Sequence, residues 1–160
     1  MDRCLTPTQQ GDLGEAEAIA TLARLGGNVS VPLFSSGDYD LVVDFGSGVL
    51  RVQVKTSRCR RGDRYVVQIA THGGNQSWSG TVKHFDANRC DLLFALLADG
   101  RRFLIPADAV QARVGLTLGG AKYSEFEIEQ NRTRHLTAEP PPLECSAGGG
   151  APELESRARL

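Results

Sequence analysis

The chain has 160 residues, 41% of them hydrophobic and 6% aromatic, and a formal net charge of −1. That is the size of one domain with an aliphatic core, and it excludes a polycation that coats nucleic acid through bulk charge. From Thr137 onward four acids (Glu139, Glu144, Glu153, Glu155) stand against two bases (Arg157, Arg159), so this end carries −2 and leaves +1 for the body. Any nucleic-acid site must therefore be a local basic patch. The four cysteines (Cys4, Cys59, Cys90, Cys145) form no Cys-x-x-Cys pair and no His stands at zinc spacing, which argues against a zinc site and a disulfide scaffold. No apolar run approaches the ~20 residues of a membrane span, and the N-terminus lacks a signal-peptide pattern. A reduced, cytoplasmic setting is expected.

In chain order, Thr6-Pro7-Thr8-Gln9 places Thr at an N-cap, Pro at the first helical position and Gln at the third. The helix should run to about Leu25 and stop at Gly26-Gly27. A strand over Asn28 to Phe34 follows, then the turn Ser35-Ser36-Gly37-Asp38. Tyr39 to Phe45 and Val49 to Thr56 read as a hairpin around Gly46-Ser47-Gly48. Arg64 to Thr71 is a further strand, and His72 to Thr81 a polar, glycine-containing loop. Cys90 to Ala98 and Arg102 to Ile105 pair across Asp99-Gly100; Pro106 to Arg113 reads as a short helix and Tyr123 to Glu129 as a last strand. After about Leu136, Glu139-Pro140-Pro141-Pro142 and Gly148 to Gly150 mark a disordered tail. The expected architecture is α/β (α+β), with one domain over 1–136, a tail over 137–160 and the first helix on one sheet face.

The central hairpin carries the chemistry. Strand side chains alternate between faces, so Leu41 and Val43 share a face with Leu50, Val52 and Val54. Burying them together puts Asp40 with Gln53 and Lys55. A two-residue turn sets Asp40 opposite Lys55, and a four-residue turn sets it opposite Gln53. Mg²⁺ takes oxygen ligands and relies on one or two carboxylates plus substrate phosphate. Asp40 offers a carboxylate and Gln53 an amide carbonyl, while Lys55 can orient an attacking water and offset transition-state charge. The same triplet also fits a cross-strand Asp40–Lys55 ion pair beside a solvated Gln53.

Asp40, twelve residues, then Gln53-Val54-Lys55 resembles the D-xn-(E/Q)-x-K signature of the PD-(D/E)XK nuclease superfamily. With Gly11-Asp12-Leu13-Gly14-Glu15-Ala16, Tyr39-Asp40-Leu41-Val42-Val43, Arg51-Val52-Gln53-Val54-Lys55-Thr56 and Phe103 to Val110, the chain is similar to the group I intron-associated endonucleases built on that fold. The resemblance covers roughly residues 8 to 130. It implies a restriction-endonuclease-like core, a mixed central sheet flanked by helices. It also implies Mg²⁺ (or Mn²⁺) held by Asp40, Gln53 and Glu15, and Lys55 as the catalytic lysine. Gln53 departs from the Asp or Glu of most members, and Tyr39 replaces the Pro before the first Asp. Glu15 has a second reading, the third residue of a capping box on Asp12.

Lys55, Arg58, Arg60, Arg61 and Arg64 form a basic run opposed only by Asp63, where a phosphate backbone can approach the site. A solvated turn is the alternative. Asn75, Gln76, Trp78 and Lys83 in the polar loop can reach bases or phosphates. His72, His84 and His135 read as surface or hydrogen-bonded histidines, and Asp86, Asp91 and Asp99 as turn residues. The leading expectation is a metal-dependent endonuclease acting on double-stranded DNA, as a dimer or tetramer because one site cuts one strand. A DNA-binding module on a degenerate nuclease fold and an interaction scaffold are the competitors.

Overall fold

A computed structural model describes residues 5–34, 38–72 and 82–128. The helix α1, Pro7–Arg24, opens as its sequence demands: the Thr6 hydroxyl accepts from the Gln9 amide and the Gln9 side chain accepts from the Thr6 amide. This box settles the start at Pro7, so Asp12 caps nothing. Gly26, at φ 87°, takes the chain out of the helix.

Strand β1 (Asn28–Ser30) pairs antiparallel with β2 (Leu41–Asp44), and β2 pairs antiparallel with β3 (Val49–Ser57). The hairpin β4 (Arg60–Arg61) and β5 (Arg64–Gln68) turns at Gly62, and β6 (Thr71–His72) meets β7 (Val82–Lys83). β8 (Leu92–Leu97) lies parallel to β3, and β9 (Arg102–Pro106) returns antiparallel beside it. β10 (Gly115–Leu118) joins β5, and β11 (Glu127–Ile128) closes the main sheet against β9. The result is a six-stranded mixed sheet ordered β1-β2-β3-β8-β9-β11 and a second sheet ordered β10-β5-β4.

Two apolar layers hold these parts together. Ala18 and Leu22 of α1 pack on Leu41, Val43, Val52, Val54 and Phe94 on one face. Tyr65, Val67 and Ile69 of β5 with Leu116 and Leu118 of β10 cover Leu93, Ala95, Leu97, Phe103 and Ile105 on the other. The side opposite α1 is thus covered by strands, where helices were expected. The expected helix at Pro106 to Arg113 is only a 3-10 turn, Ala107–Ala109, and β10 follows it. The first strand is also shorter than expected. It ends at Ser30 because Pro32 has no N–H to continue the ladder, and Leu33 and Phe34 are exposed. Tyr123, expected in a strand, takes a left-handed conformation at φ 68° before a 3-10 turn over Ser124–Phe126. The polar loop from residue 73 to 81 and the tail lie outside the described residues.

The α1–β3 contact is close enough to be tested. A Cβ on Gly14 would overlap the Thr56 methyl, whereas one on Gly11 would meet nothing within 4 Å. Alanine gains about 1 kcal/mol over glycine inside a helix, but overpacking against a stiff β-branched neighbour costs about 1–3 kcal/mol. Urea denaturation should show Gly14→Ala destabilised by about 1–2 kcal/mol and Gly11→Ala stabilised by up to about 1 kcal/mol. Equal shifts in the two variants would contradict this packing.

Candidate active site

The hairpin β2–β3 closes through the four residues from Phe45 to Gly48, with Asp44 Oδ1 accepting from the Gly46 amide at 2.7 Å. Leu41 faces Val52 and Val43 faces Leu50, the register of the four-residue turn that sets Asp40 nearest Gln53. The regular ladder then ends. The Asp40 amide donates to the Val52 carbonyl at 2.9 Å, and Val52 is already the partner of Leu41. Where β2 peels away, the Asp40 carboxylate takes its place in the ladder: Oδ2 accepts from the Val54 amide at 2.7 Å.

That amide lies between Gln53 and Lys55. One carboxylate oxygen is therefore fixed against the strand that carries both groups, and Oδ1 accepts no hydrogen bond among the described residues. Gln53 and Lys55 are half-buried, on the face opposite Val52 and Val54. Among the described residues Lys55 has no ion-pair partner, so the cross-strand pair with Asp40 does not form.

Glu15 reaches the opening from α1. It lies beside the apolar stripe of Gly14, Ala18, Thr21 and Leu22, and is exposed rather than core-facing. Even so, partial desolvation, the Asp40 carboxylate and the Asp12 carboxylate raise its pKa, in that order. A folded-state pKa above the unfolded one means that the native protein holds the proton more tightly. Stability then falls as pH rises from the ordinary glutamate range through the raised value, and the cost is complete above it. Glu15→Gln is expected to stabilise the metal-free protein at pH 7 by less than about 1 kcal/mol, as for exposed charge pairs. Near pH 3.5, below the ordinary glutamate range, the gain should vanish. Urea titrations at both pH values check this, and an equal effect at each would contradict it.

Two acids read as turn residues hold the surroundings. Asp91, just before β8, accepts from the Arg51 amide at 2.7 Å and from Arg51 Nε and Nη2 at 3.0 Å each. These bonds lower its pKa and pin the start of the β3–β8 pair. Asp38 pairs with Lys83 and Arg89, and those bonds hold its carboxyl below the usual range. Lys83, expected on DNA, thus ties β7 to the segment entering Asp40. A cavity of about 20 Å³ joins Asp38, Gln53, Lys83, His84 and Cys90. Burial pushes the Cys90 thiol up to about 11, so it stays protonated there.

The basic residues sit elsewhere on the same side of the sheet. Arg60 and Arg61 form β4 and Arg64 opens β5, all exposed; Arg58 Nη1 lies 3.4 Å from the Leu5 carbonyl. Asn75 and Gln76 lie outside the described residues. Among the described residues no three His, Cys, Asp or Glu side chains cluster for a metal. Nor is any described helix long and apolar enough to cross a membrane.

A mixed sheet backed by a helix, with an aspartate bound to the strand that carries Gln53 and Lys55, is an arrangement of the restriction-endonuclease-like fold. The family model described as PD-(D/E)XK endonuclease matches residues 5–135, and the chain belongs to that family, whose nucleases generally use divalent metal ions. Among solved structures, that of a bacterial homing endonuclease, I-Ssp6803I, superposes with a TM-score of 0.62 at 23% identity. The match covers 75% of this chain and 82% of the other. No curated protein matches the chain.

Proposed function

We propose that the protein is a metal-dependent endonuclease that hydrolyses phosphodiester bonds in double-stranded DNA, in the manner of homing or restriction enzymes. The observation that carries this reading is the Asp40 carboxylate, tied by one oxygen to the amide between Gln53 and Lys55 and open at the other. The donor set fits Mg²⁺, or Mn²⁺ in its place: the Asp40 carboxylate, the Gln53 amide carbonyl and Glu15 are all hard oxygen donors. Partial burial first, and then the carboxylates of Asp40 and Asp12, raise the pKa of Glu15.

Such an ion, when bound, supplies Lewis-acid polarisation of the phosphate and lowers the pKa of a bound water. Asp40 fixes position, because its hydrogen bond to Val54 stops the carboxylate from rotating. Lys55, with no partner in the described fold, has its ammonium available to hold the attacking water and to offset charge building on the phosphate oxygens. Gln53 contributes an oxygen without charge, so metal binding rests more heavily on Asp40 and Glu15. The exposed arginines Arg58, Arg60, Arg61 and Arg64, with Asn75, Gln76 and Lys83, supply the DNA contacts. Nicking of both strands requires two chains, so a dimer or tetramer is the acting form. The free thiols of Cys59 and Cys90 suit the reducing cytoplasm where such DNA is met, and the nuclease domain spans 1–136.

The experiment is nicking of supercoiled plasmid with Mg²⁺, with and without chelator. Chelator-sensitive nicking supports the reading. Salt-dependent DNA binding without any turnover would instead favour an inactive binding module, to which Gln53 in place of an acid points.

A further inference from the structure

At the far end of β3 from Gln53, two arginines of the β4–β5 hairpin and one from the β8–β9 turn gather near Tyr65 and the glycines after β10. In the second sheet Tyr65 faces Arg60 on one side and Leu118 on the other. The Arg60 guanidinium lies 5.4 Å from the Tyr65 ring centroid and that of Arg101, from the β8–β9 turn, 5.9 Å from it. The ring itself is almost fully covered, 4% exposed. Just beyond Leu118, a Cβ on Gly119 would stand 2.7 Å from Arg101 Nη2, and one on Gly120 would stand 3.0 Å from Arg64 Nε. The two glycines leave room for both guanidinium groups beside the backbone, and Gly119 sits at φ 92°, where glycine is at ease.

The acids nearby leave this charge in surplus. Asp99 holds Arg101 through Nε and Nη2, each at 2.9 Å. Asp63 stands 3.8 Å from Arg64 with its side chain 88% exposed, a loose pair of little worth. Among the described residues Arg60, Arg61, Arg64 and Arg101 thus face only two carboxylates. Attraction to the ring face holds both guanidinium groups in place. Arg60 has no carboxylate partner among the described residues and Arg101, whose Nε and Nη2 hold Asp99, keeps Nη1, so N–H donors remain for a phosphate.

We infer that Arg60, Arg64 and Arg101, seated on Tyr65 and the Gly119-Gly120 turn, form a docking site for the DNA backbone apart from the point of cleavage. This rests on the nuclease reading and adds Arg101 to it, a residue outside the basic run. Ser57, whose hydroxyl bonds the Val66 carbonyl next to Tyr65, is four residues beyond Gln53. At about 3.3 Å per residue this is roughly 13 Å, or about four base pairs of duplex. The cluster therefore grips phosphates flanking the cut and acts on binding, with no part in the bond-breaking step.

The test is duplex DNA binding across a salt series by fluorescence anisotropy, together with cleavage kinetics, for the full chain and for Arg60→Ala, Arg101→Ala and Arg24→Ala. Arg24, on α1 across the sheet, controls for the loss of one charge. Arg60→Ala and Arg101→Ala are expected to weaken binding several-fold on any sequence and to lower the salt slope by about 1 each. Their KM should rise with kcat unchanged, while Arg24→Ala stays at the wild-type value. Should wild type bind and cut while all three variants behave alike, the docking site is wrong and the nuclease reading stands. Should wild type fail to bind duplex even at low salt, both fall.

Discussion

Asp40→Asn should leave a folded protein that no longer cuts DNA. The asparagine keeps an oxygen that can accept from the Val54 amide, so the junction of β2 and β3 stays closed. What it loses is the negative charge proposed to hold a divalent cation, and the loss of a comparable electrostatic element costs about 10²–10³-fold in turnover or more. Asp40→Ala should be equally inactive and also less stable. It leaves a partly buried amide without its acceptor, and a hydrogen bond to a charged group is worth about 1.5–3 kcal/mol. Plasmid nicking and urea denaturation on the pair separate the two jobs of one side chain. If Asp40→Asn cuts at the wild-type rate, Asp40 is only a structural cap.

Lys55→Ala carries the second large effect, and its signature is different. Lys55 is half-buried but has no ion pair among the described residues, so its removal should cost no more than about 1 kcal/mol of stability. Turnover should nevertheless fall by about 10²–10³-fold, the cost of removing one group aimed at developing charge. DNA affinity should barely change, because the proposed phosphate contacts are the arginines. Single-turnover cleavage beside anisotropy would show a loss confined to kcat. A drop in affinity with kcat intact would move Lys55 from the chemistry to the docking surface.

Much of this site is legible in the sequence because it lies in one hairpin. Alternation of Leu41 and Val43 against Val52 and Val54 fixes which residues turn toward α1, and it leaves only the turn length open. The four residues from Phe45 to Gly48 decide that in favour of Asp40 near Gln53. Strict alternation goes wrong in one detail. It predicts Asp40 on the sheet face, whereas the end of the ladder brings its carboxylate into line with β3, onto the Val54 amide. Strand ends are where period-two reasoning lapses, since the partner that enforces it is gone.

What the sequence hides depends on pairing between distant segments. Arg51 and Asp91 are forty residues apart, and their three hydrogen bonds follow from the parallel β3–β8 pairing, which carries no local turn signal. Asp38 reads as part of a turn until β7 and the Arg89 turn are seen folding back onto it. The second sheet was half missed for the same reason: Gly115 to Leu118 is too short to announce a strand, yet its Leu116 and Leu118 close the core against β5. Glu15 depends on where α1 begins. The helix does begin at Pro7, but the stripe on Gly14, Ala18 and Leu22 leaves Glu15 at its margin, beside the opening.

The most direct test is a crystal grown with Mn²⁺ and measured at the manganese absorption edge, for wild type and Asp40→Asn. Anomalous density in contact with the Asp40 carboxylate and the Gln53 amide, absent from the variant, is the expected result. Density elsewhere, or equal density in both crystals, would contradict a metal-dependent site at the edge of β3.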